Sequence, residues 1–361
     1  MNNFNKKNAI IFTHNLLAEN FAKTAHGLLR GTERFNIVAV VDLIHHGNDA
    51  GVIFQNTPIG IPVYKSINDF LQHNDIAIDY CIVGVAFPGG QLPIDCREQL
   101  LSAMKNNMSI ISGLHQLLSD DDEFLSFSKK YNVKLIDIRK PRPTSELNFW
   151  SGKIFEINTP IIAVLGTDCA VGKRTMARLL RDECTSQGIS SELIYTGQTG
   201  WMQGYPFGFI LDATPNDFVS GEIERSILEC VASKNPDIIF LEGQSSLRNP
   251  SGPCGSEFIL SANAKNIVLV HPIKRKYFVD LEEHGCKIPN IIDEINLISM
   301  YGGSVIGIGV NEEDVFDNDF KLFKRELSKN YNFPIVKPLS EGVEEIINNI
   351  KKQILSNGND I

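Results

Sequence analysis

Residues 161–180 read IIAVLGTDCAVGKRTMARLL, and this stretch decides the fold of the second half of the chain. The apolar run at its start predicts a buried strand, a glycine-containing loop follows, and the remaining residues have helical spacing. Strand, glycine loop and helix in this order form the context in which a phosphate-binding loop is expected. The stretch therefore predicts a phosphate-loop domain.

The loop departs from the usual phosphate-binding pattern in two places. That pattern has four residues between its glycines and a Ser or Thr directly after the lysine. Here five residues separate Gly166 from Gly172, and Arg174 follows Lys173, with Thr175 one position later. A guanidinium group offers only donors, so Arg174 cannot ligate Mg²⁺. Either Thr175 takes over the metal, or the loop binds a diphosphate without one.

The loop residues are the candidates for holding an anionic cofactor. Glycines let consecutive backbone N–H groups point at a phosphate, the helix N-terminus adds a favourable dipole, and the lysine adds a point charge. Cys169 could also touch a substrate, with a nucleophilic role as the alternative. The predicted cofactor-binding residues are Gly166, Thr167, Asp168, Gly172, Lys173, Arg174 and Thr175.

The composition is that of a globular protein with two domains. The chain has 361 residues, of which 43% are hydrophobic, and a net charge of −9. That length is long for one core, and the negative charge argues against a nucleic-acid binder. Seven cysteines without a CxxC pair or a Cys/His cluster predict neither disulfides nor a metal site, and are typical of a cytoplasmic protein. No stretch has the length needed to cross a bilayer, so no membrane partner is expected.

Residues 1–150 are predicted to form a Rossmann-like α/β domain. Continuous apolar runs alternate with helical patterns, as in a parallel sheet covered on both faces. The first strand is not followed by G-x-G-x-x-G, and Asp42 at the end of the second is more typical of a turn residue than of a ribose-binding acid. NAD binding is therefore not predicted. The predicted strands are 7–13, 37–42, 80–85, 109–112 and 133–138, with helices at 18–29 and 96–105.

Residues 151–361 are predicted to form a phosphate-loop NTPase-like α/β/α domain, so the fold class is α/β throughout. The segment RKPRP, 139–143, is the linker candidate, because proline fixes the backbone and ends the preceding strand. A terminal helix with a polar tail is expected at the end of the chain. The further strands are predicted at 191–195, 237–241, 266–270, 304–310 and 334–336.

Polar residues at two strand exits are candidates for catalysis. The strand in PDIIFLEGQSSL, 236–247, ends in Glu242, which could hold a metal through water or act as a base; a turn-capping carboxylate is the alternative. The segments TGQTGWMQG, 196–204, and DATPNDFVSGEIE, 212–224, suggest a polar pocket wall.

Other charged residues of the second half are weaker candidates. Glu222 and Glu224 are two apart on a helix, so at most one of them can face a site. The basic cluster HPIKRKYF, 271–278, is more typical of a solvated face, although an anionic substrate also needs one.

Taken together, these segments resemble a bacterial family in which a Rossmann-like domain precedes a phosphate-loop domain related to dethiobiotin synthetase. Some of its members are D-glutamate N-acetyltransferases. The GTDxxxGK opening is most similar to dethiobiotin synthetase itself. The segments that carry the resemblance span nearly the whole chain: AKTAHGLLR, VGVAFPGGQLP, GLHQLLSDDDEF, DIRKPRP, GTDCAVGKRT, TGQTGWMQG, DATPNDFVSG and EGQSSL.

The resemblance implies an enzyme of D-amino-acid catabolism that moves an acetyl group from acetyl-CoA to the amine of D-glutamate, a small-molecule substrate. Coenzyme A carries a diphosphate, so a cradle built for nucleotides can hold it without hydrolysing anything. The family and the size of the chain also predict a homo-oligomer.

Residue roles for acetyl transfer follow as expectations. The attacking amine must lose a proton, and the candidate bases are Glu242 and Asp217, with His115 third. Planar guanidinium groups match carboxylates, and backbone N–H groups near a glycine can stabilise an oxyanion. For the two arginines, surface charges of a linker are an equal alternative. The predicted substrate-binding residues are Arg139, Arg142, Gln198, Thr199 and Gly200.

Two alternatives stay open from the sequence. One is an ATP-dependent ligase or kinase, in which Thr175 and Glu242 hold Mg²⁺ and a substrate carboxylate is phosphorylated. The other is a nucleotide sensor without catalytic activity.

Overall fold

The computed structural model describes residues 6–355. The predicted polar tail extends into residues 356–361, which lie outside the described part, as do residues 1–5. Within residues 6–355, no helix is long and apolar enough to cross a membrane.

The chain divides into two compact units. Unit 1 comprises Met1–Arg142 and Gly197–Tyr205, and unit 2 comprises Pro143–Thr196 and Pro206–Ile361. Each unit contains a parallel β-sheet with helices in its connections, which confirms the predicted α/β class. The division falls in the predicted linker 139–143, whereas the sequence-based boundary was drawn at residue 150.

Unit 1 is a doubly wound sheet of six parallel strands in the order β3-β2-β1-β4-β5-β6. Its apolar strands are buried because both faces are covered. The strands are β1 (Lys7–His14), β2 (Phe35–Asp42), β3 (Val63–Tyr64), β4 (Tyr80–Val83), β5 (Ser109–Ser112) and β6 (Leu135–Asp137). The helices are α1 (Lys23–Leu29), α2 (Ala50–Gln55), α3 (Ile67–His73), α4 (Ile94–Lys105) and α5 (Asp122–Tyr131).

Unit 2 is a sheet of seven parallel strands in the order β13-β12-β11-β7-β10-β8-β9, with β7 at its centre. The strands are β7 (Ile161–Gly166), β8 (Ser191–Tyr195), β9 (Phe207–Gly208), β10 (Ile238–Glu242), β11 (Asn266–His271), β12 (Ser304–Val310) and β13 (Ile335–Val336). Its helices are α6 (Lys173–Ser186), α8 (Asn216–Lys234), α9 (Ser256–Leu260), α10 (Ile291–Met300), α11 (Asp317–Leu327) and α12 (Glu344–Ile350).

The chain leaves the sheet of unit 2 after Thr196 to add one helix, α7 (Gln198–Gln203), to unit 1. Met202 belongs to the hydrophobic core of unit 1, and Gln203 Nε2 donates to the Gly27 carbonyl at 2.9 Å. Arg34 stacks over the Trp201 ring. Most residues of the segment 196–204 therefore pack in unit 1.

Two buried carboxylates of α8 bind the chain that opens unit 2. Glu222 accepts hydrogen bonds from the backbone and side-chain amides of Asn148, and Glu224 accepts from the N–H groups of Ser151 and Ile154. From the sequence, at most one of these two acids was expected to face a ligand site. Both instead satisfy the backbone of residues 148–154, which explains why this stretch belongs to unit 2.

Candidate functional site

The loop between β7 and α6 has the backbone of an anion cradle. Ala170 and Gly172 adopt positive φ angles of 52° and 102°, which turn the chain sharply before α6 begins at Lys173. No side chain among the described residues caps this helix N-terminus. The N–H groups of the first turn of an α-helix have no partner within the helix, so this end suits a negatively charged group.

Lys173 is buried and ties the loop to the exit of β10. Its Nζ atom donates to the carbonyl oxygens of Asp168 and Ser245, both at 2.7 Å. Burial lowers the pKa of Lys173 below its ordinary value. A phosphate at the loop would offer this ammonium group a charged acceptor, which binds it more strongly than a neutral carbonyl does.

Asp168 is fully buried and organises the loop from within. Its carboxylate accepts from Arg275 and from the backbone N–H of Val279, both at 2.9 Å, and from the N–H of Cys169 at 2.6 Å. Asn249 donates to it as well. Asp168 was predicted to bind cofactor, but these contacts make it the internal anchor that holds the loop in shape.

His271, at the end of β11, supports the opposite side of the loop. Its Nδ1 atom lies 2.8 Å from the Thr167 hydroxyl, and its ring stacks on Phe323. Burial lowers the pKa of His271 to about 4, so the imidazole is neutral at physiological pH. The basic cluster 271–278 was interpreted as a solvated face, whereas its His271 and Arg275 both brace the loop.

Glu242 ends β10 beside the cradle and is only 3% exposed. Its carboxylate accepts from the Thr196 N–H at 3.1 Å. Burial raises the pKa of Glu242, while the charges of Arg174 and Lys173 oppose that rise. Arg174 therefore supplies positive charge near the acid, at the place in the sequence where metal-dependent loops carry a hydroxyl.

The other predicted base of unit 2, Asp217, is exposed in the first turn of α8. Within residues 6–355, no hydrogen bond or ion pair joins it to the phosphate loop. Of the two candidate bases, only Glu242 is placed by these contacts in the environment of the loop.

The five predicted substrate-binding residues all lie in unit 1. Arg139 donates to the Gly113 carbonyl and to Gln198 Oε1, so both side chains support the local structure. Thr199 is buried and bonds to the Thr24 hydroxyl. The Gly200 N–H donates to the Gly197 carbonyl, which leaves it no hydrogen for an oxyanion. Arg142 and the third candidate base, His115, are exposed in this unit.

Asp42, at the end of β2, is a turn residue, as the sequence indicated. It is fully buried and accepts from the N–H groups of Leu17, Ile44 and His45. The Thr13 hydroxyl also donates to it. A carboxylate with this many internal donors is not available to a ribose hydroxyl, in agreement with the missing dinucleotide fingerprint.

Several residues that contact the loop were not predicted as site residues from the sequence. Arg275, Asn249 and Ser245 contact it from positions far along the chain, and Asn311 Nδ2 donates to the Val171 carbonyl at 3.1 Å. Their common feature is that each follows a strand of the same parallel sheet. Polar residues at the carboxyl ends of strands meet at one edge, so that position is the signal that could have found them.

Comparison with known proteins agrees with this architecture. Residues 148–347 match a family described as "Domain of unknown function (DUF1611_C) P-loop domain", and residues 44–141 match "Domain of unknown function (DUF1611_N) Rossmann-like domain". A solved DUF1611 family protein from Anabaena variabilis superposes with a TM-score of 0.86 at 25% identity, covering 96% of this chain and all of that one.

Two relatives carry the name of an enzyme. A D-glutamate N-acetyltransferase from Pseudoalteromonas sp is 30% identical over 274 residues, which are 74% of this chain and 80% of the relative. A second D-glutamate N-acetyltransferase, from Tritonibacter scottomollicae, is 25% identical over 279 residues, with 74% and 79% covered. The family resemblance inferred from the sequence is confirmed.

Proposed function

Since this chain belongs to the DUF1611 family, and its phosphate loop keeps the backbone of an anion cradle, we propose that it is an acetyltransferase. It moves the acetyl group of acetyl-CoA to the amine of D-glutamate. The observation that carries the proposal is the likeness to two D-glutamate N-acetyltransferases over about three quarters of the chain, 74% in each case.

The charges around the loop support coenzyme A over a metal–nucleotide complex. Arg174 and Lys173 lie close enough to Glu242 for their charges to lower its pKa. In metal-dependent loops, Mg²⁺ neutralises the phosphates and is ligated by the hydroxyl after the lysine. Here the fixed cation of Arg174 stands at the position of that hydroxyl, and the diphosphate of coenzyme A needs no cleavage.

The proposed reaction is a direct acyl transfer. The neutral amine of D-glutamate attacks the thioester carbonyl, a C–N bond forms, and the C–S bond breaks. The amine proton passes to a base, and the sulfur leaves as the thiol of coenzyme A after taking up a proton. Glu242 is the proposed base, because a buried carboxylate with a raised pKa is a stronger base than an exposed one. Asp217 is the second candidate.

The test uses the purified full chain with D-glutamate and acetyl-CoA. We expect release of free thiol together with a product heavier by one acetyl group, and a much slower reaction with L-glutamate. A parallel incubation with D-glutamate and ATP–Mg²⁺ measures ADP. If ADP forms and the first reaction releases no thiol, the proposal of acetyl transfer is wrong and the ligase or kinase alternative is supported.

A variant separates direct transfer from a covalent route through the loop cysteine. Cys169 Sγ lies 3.5 Å from the Ser245 hydroxyl, within the loop region. Direct transfer predicts that Cys169→Ser keeps most of its activity. If a folded Cys169→Ser variant releases no thiol, the acetyl group passes through a covalent intermediate on the Cys169 sulfur.

A further inference from the structure

The strand order of unit 1 has a reversal of its own, separate in sequence from the phosphate loop. From β1 the strand order runs outward to β2 and β3 on one side and to β4, β5 and β6 on the other. The order therefore reverses between β1 and β4. In open parallel sheets, ligands bind outside the carboxyl ends of the strands at such a reversal.

Three metal-ligand side chains meet at this reversal. His14 is the last residue of β1, and Asp95 and Cys96 lie in the first turn of α4, which follows β4. His14 Nε2 is 3.2 Å from Asp95 Oδ2, and the ligand atoms of all three residues lie within 4.8 Å of one another. Tetrahedral zinc places its ligand atoms about 3.4–3.6 Å apart, so small side-chain rotations would close the set.

The surroundings of His14 point independently to a missing partner. His14 has a positive φ of 58°, a conformation that is uncommon for residues other than glycine. The amide of the next residue, Asn15, lies against it, with Nδ2 3.4 Å from His14 Nε2. The Asn15 Oδ1 atom is buried and accepts no hydrogen bond from any described residue. A buried carbonyl oxygen without a partner is costly, and this one belongs to the amide that contacts His14 Nε2.

We propose that His14, Asp95 and Cys96 bind a zinc ion. Nitrogen, oxygen and sulfur donors together suit this borderline-soft cation better than Mg²⁺ or Ca²⁺, which prefer oxygen alone. Cys96 is fully buried, while the Asp95 side chain is 68% exposed, so the site is anchored on one side and reached from the other. Three protein ligands leave a fourth position for water or for a carboxylate oxygen of a ligand.

The experiment measures metal binding directly and does not depend on acetyl transfer. Full-length protein is stripped with a chelator and titrated with ZnCl₂, and in parallel with CoCl₂. We expect about one zinc ion per chain by elemental analysis, and a thiolate-to-cobalt charge-transfer band that reports Cys96. Asp95→Asn and His14→Asn should each weaken zinc binding at least about tenfold, since even outer contacts of a metal site are worth that much.

The variants are chosen so that misfolding cannot explain a loss. Asp95 is exposed, and asparagine adopts positive φ readily at position 14. The control is His73→Asn, because His73 pairs with Asp69 at 3.6 Å on the same unit but has no nearby cysteine ligand. Zinc binding that survives Asp95→Asn and His14→Asn, or a wild-type protein with no cobalt–thiolate band, would reduce the cluster to an ordinary His–Asp ion pair.

Discussion

The two sheets of this chain begin in the same way and then differ in the loop after their first strand. In unit 2, β7 is followed by a short glycine loop, and α6 starts at once. In unit 1, β1 is followed by a longer segment and a 3₁₀ turn, Asn20–Ala22, before α1 begins at Lys23. Both units contain a parallel sheet, whereas the backbone of an anion cradle is found in the loop between β7 and α6.

Each loop is held by one fully buried carboxylate, and the two carboxylates differ in the groups that donate to them. Asp42 accepts mainly from backbone N–H groups in unit 1. Asp168 uses Arg275 as well as backbone N–H groups, so the loop of unit 2 has a guanidinium behind it. Burial alone therefore does not distinguish a binding loop from a structural one. The two loops differ in the cations around them, since Lys173, Arg174 and Arg275 all lie at the loop of unit 2.

The largest expected effect comes from the acid beside the cradle. β10, which lies beside β7, ends in Glu242, whereas β2, on the matching side of β1, ends in Asp42, whose carboxylate accepts from internal donors. Glu242→Gln should lower the rate of acetyl transfer about 10²- to 10⁴-fold, the usual worth of a general base. The control is Glu294→Gln, another buried acid of unit 2 with a raised pKa. If Glu242→Gln is as active as the wild type, Glu242 is not the base, and Asp217 becomes the candidate.

The same variant tests the electrostatics of Glu242 without any assay of activity. Burial raises its pKa above the ordinary 4.5. The stability contributed by the protonated acid is complete below pH 4.5 and is lost as the pH rises through the raised value. Glutamine does not titrate, so the melting temperature of Glu242→Gln relative to that of the wild type should rise as the pH is raised above 4.5. A difference in melting temperature that is the same at every pH would contradict this.

The second effect compares the lysines that open the first helix of each unit. Lys173→Ala should weaken binding of coenzyme A about 10²- to 10³-fold, because it removes a buried cation that pairs with phosphate. Lys23→Ala, at the start of α1, should leave that affinity unchanged. Isothermal titration with coenzyme A measures both. If both lysine variants bind like the wild type, the cofactor does not occupy the loop.

The third effect separates the two buried carboxylates. Asp168→Asn and Asp42→Asn should each destabilise the protein by about 2–4 kcal/mol in chemical denaturation, because each removes a buried charge from its donors. Only Asp168→Asn should also reduce the affinity for coenzyme A. A loss of affinity in both variants would mean that coenzyme A binding depends on the integrity of unit 1 as well.

The smallest expected effect is confined to acid pH. The lowered pKa of His271, about 4, means that its stability contribution is present above pH 6.5 and is lost as the pH falls toward 4. The loss can reach about 3 kcal/mol. His271→Gln should flatten this dependence, while the exposed His284→Gln should not. Superimposable stability–pH curves for the wild type and His271→Gln would show that this imidazole is not held neutral.

Much of the fold follows from local pattern. Apolar runs located the long strands of both sheets, and three of them, β5, β8 and β12, have the predicted bounds. The two-residue strands β3 and β9 were missed, because so short a run has no periodicity to detect. The placement of α7 was also missed. A sequence shows that TGQTGWMQG is glycine-rich and amphipathic, but not which of two cores its Met202 will join.

The predictions of site residues also differ in what they rested on, which was either a local motif or the residue type alone. Gly166, Gly172, Lys173 and Glu242 were predicted as site residues because the phosphate-loop motif and a strand-end acid are local signals. Arg139, Gln198 and Gly200 were assigned to substrate because their residue types suit it. In the structure, Arg139 and the Gly200 N–H donate to internal partners, and Gln198 Oε1 accepts from Arg139.

By itself, the sequence determined that this protein has two α/β sheets and that one of them carries a phosphate-loop motif. These are properties of neighbouring residues, since strand periodicity, glycine turns and helix starts depend on a few positions at a time. Only the tertiary structure decided that Arg275 pairs with Asp168, that Arg174 lies near Glu242, and that His14 meets Cys96. Ion pairs, pKa shifts and metal sites depend on distances between groups that the folded backbone brings together, and no local pattern contains those distances.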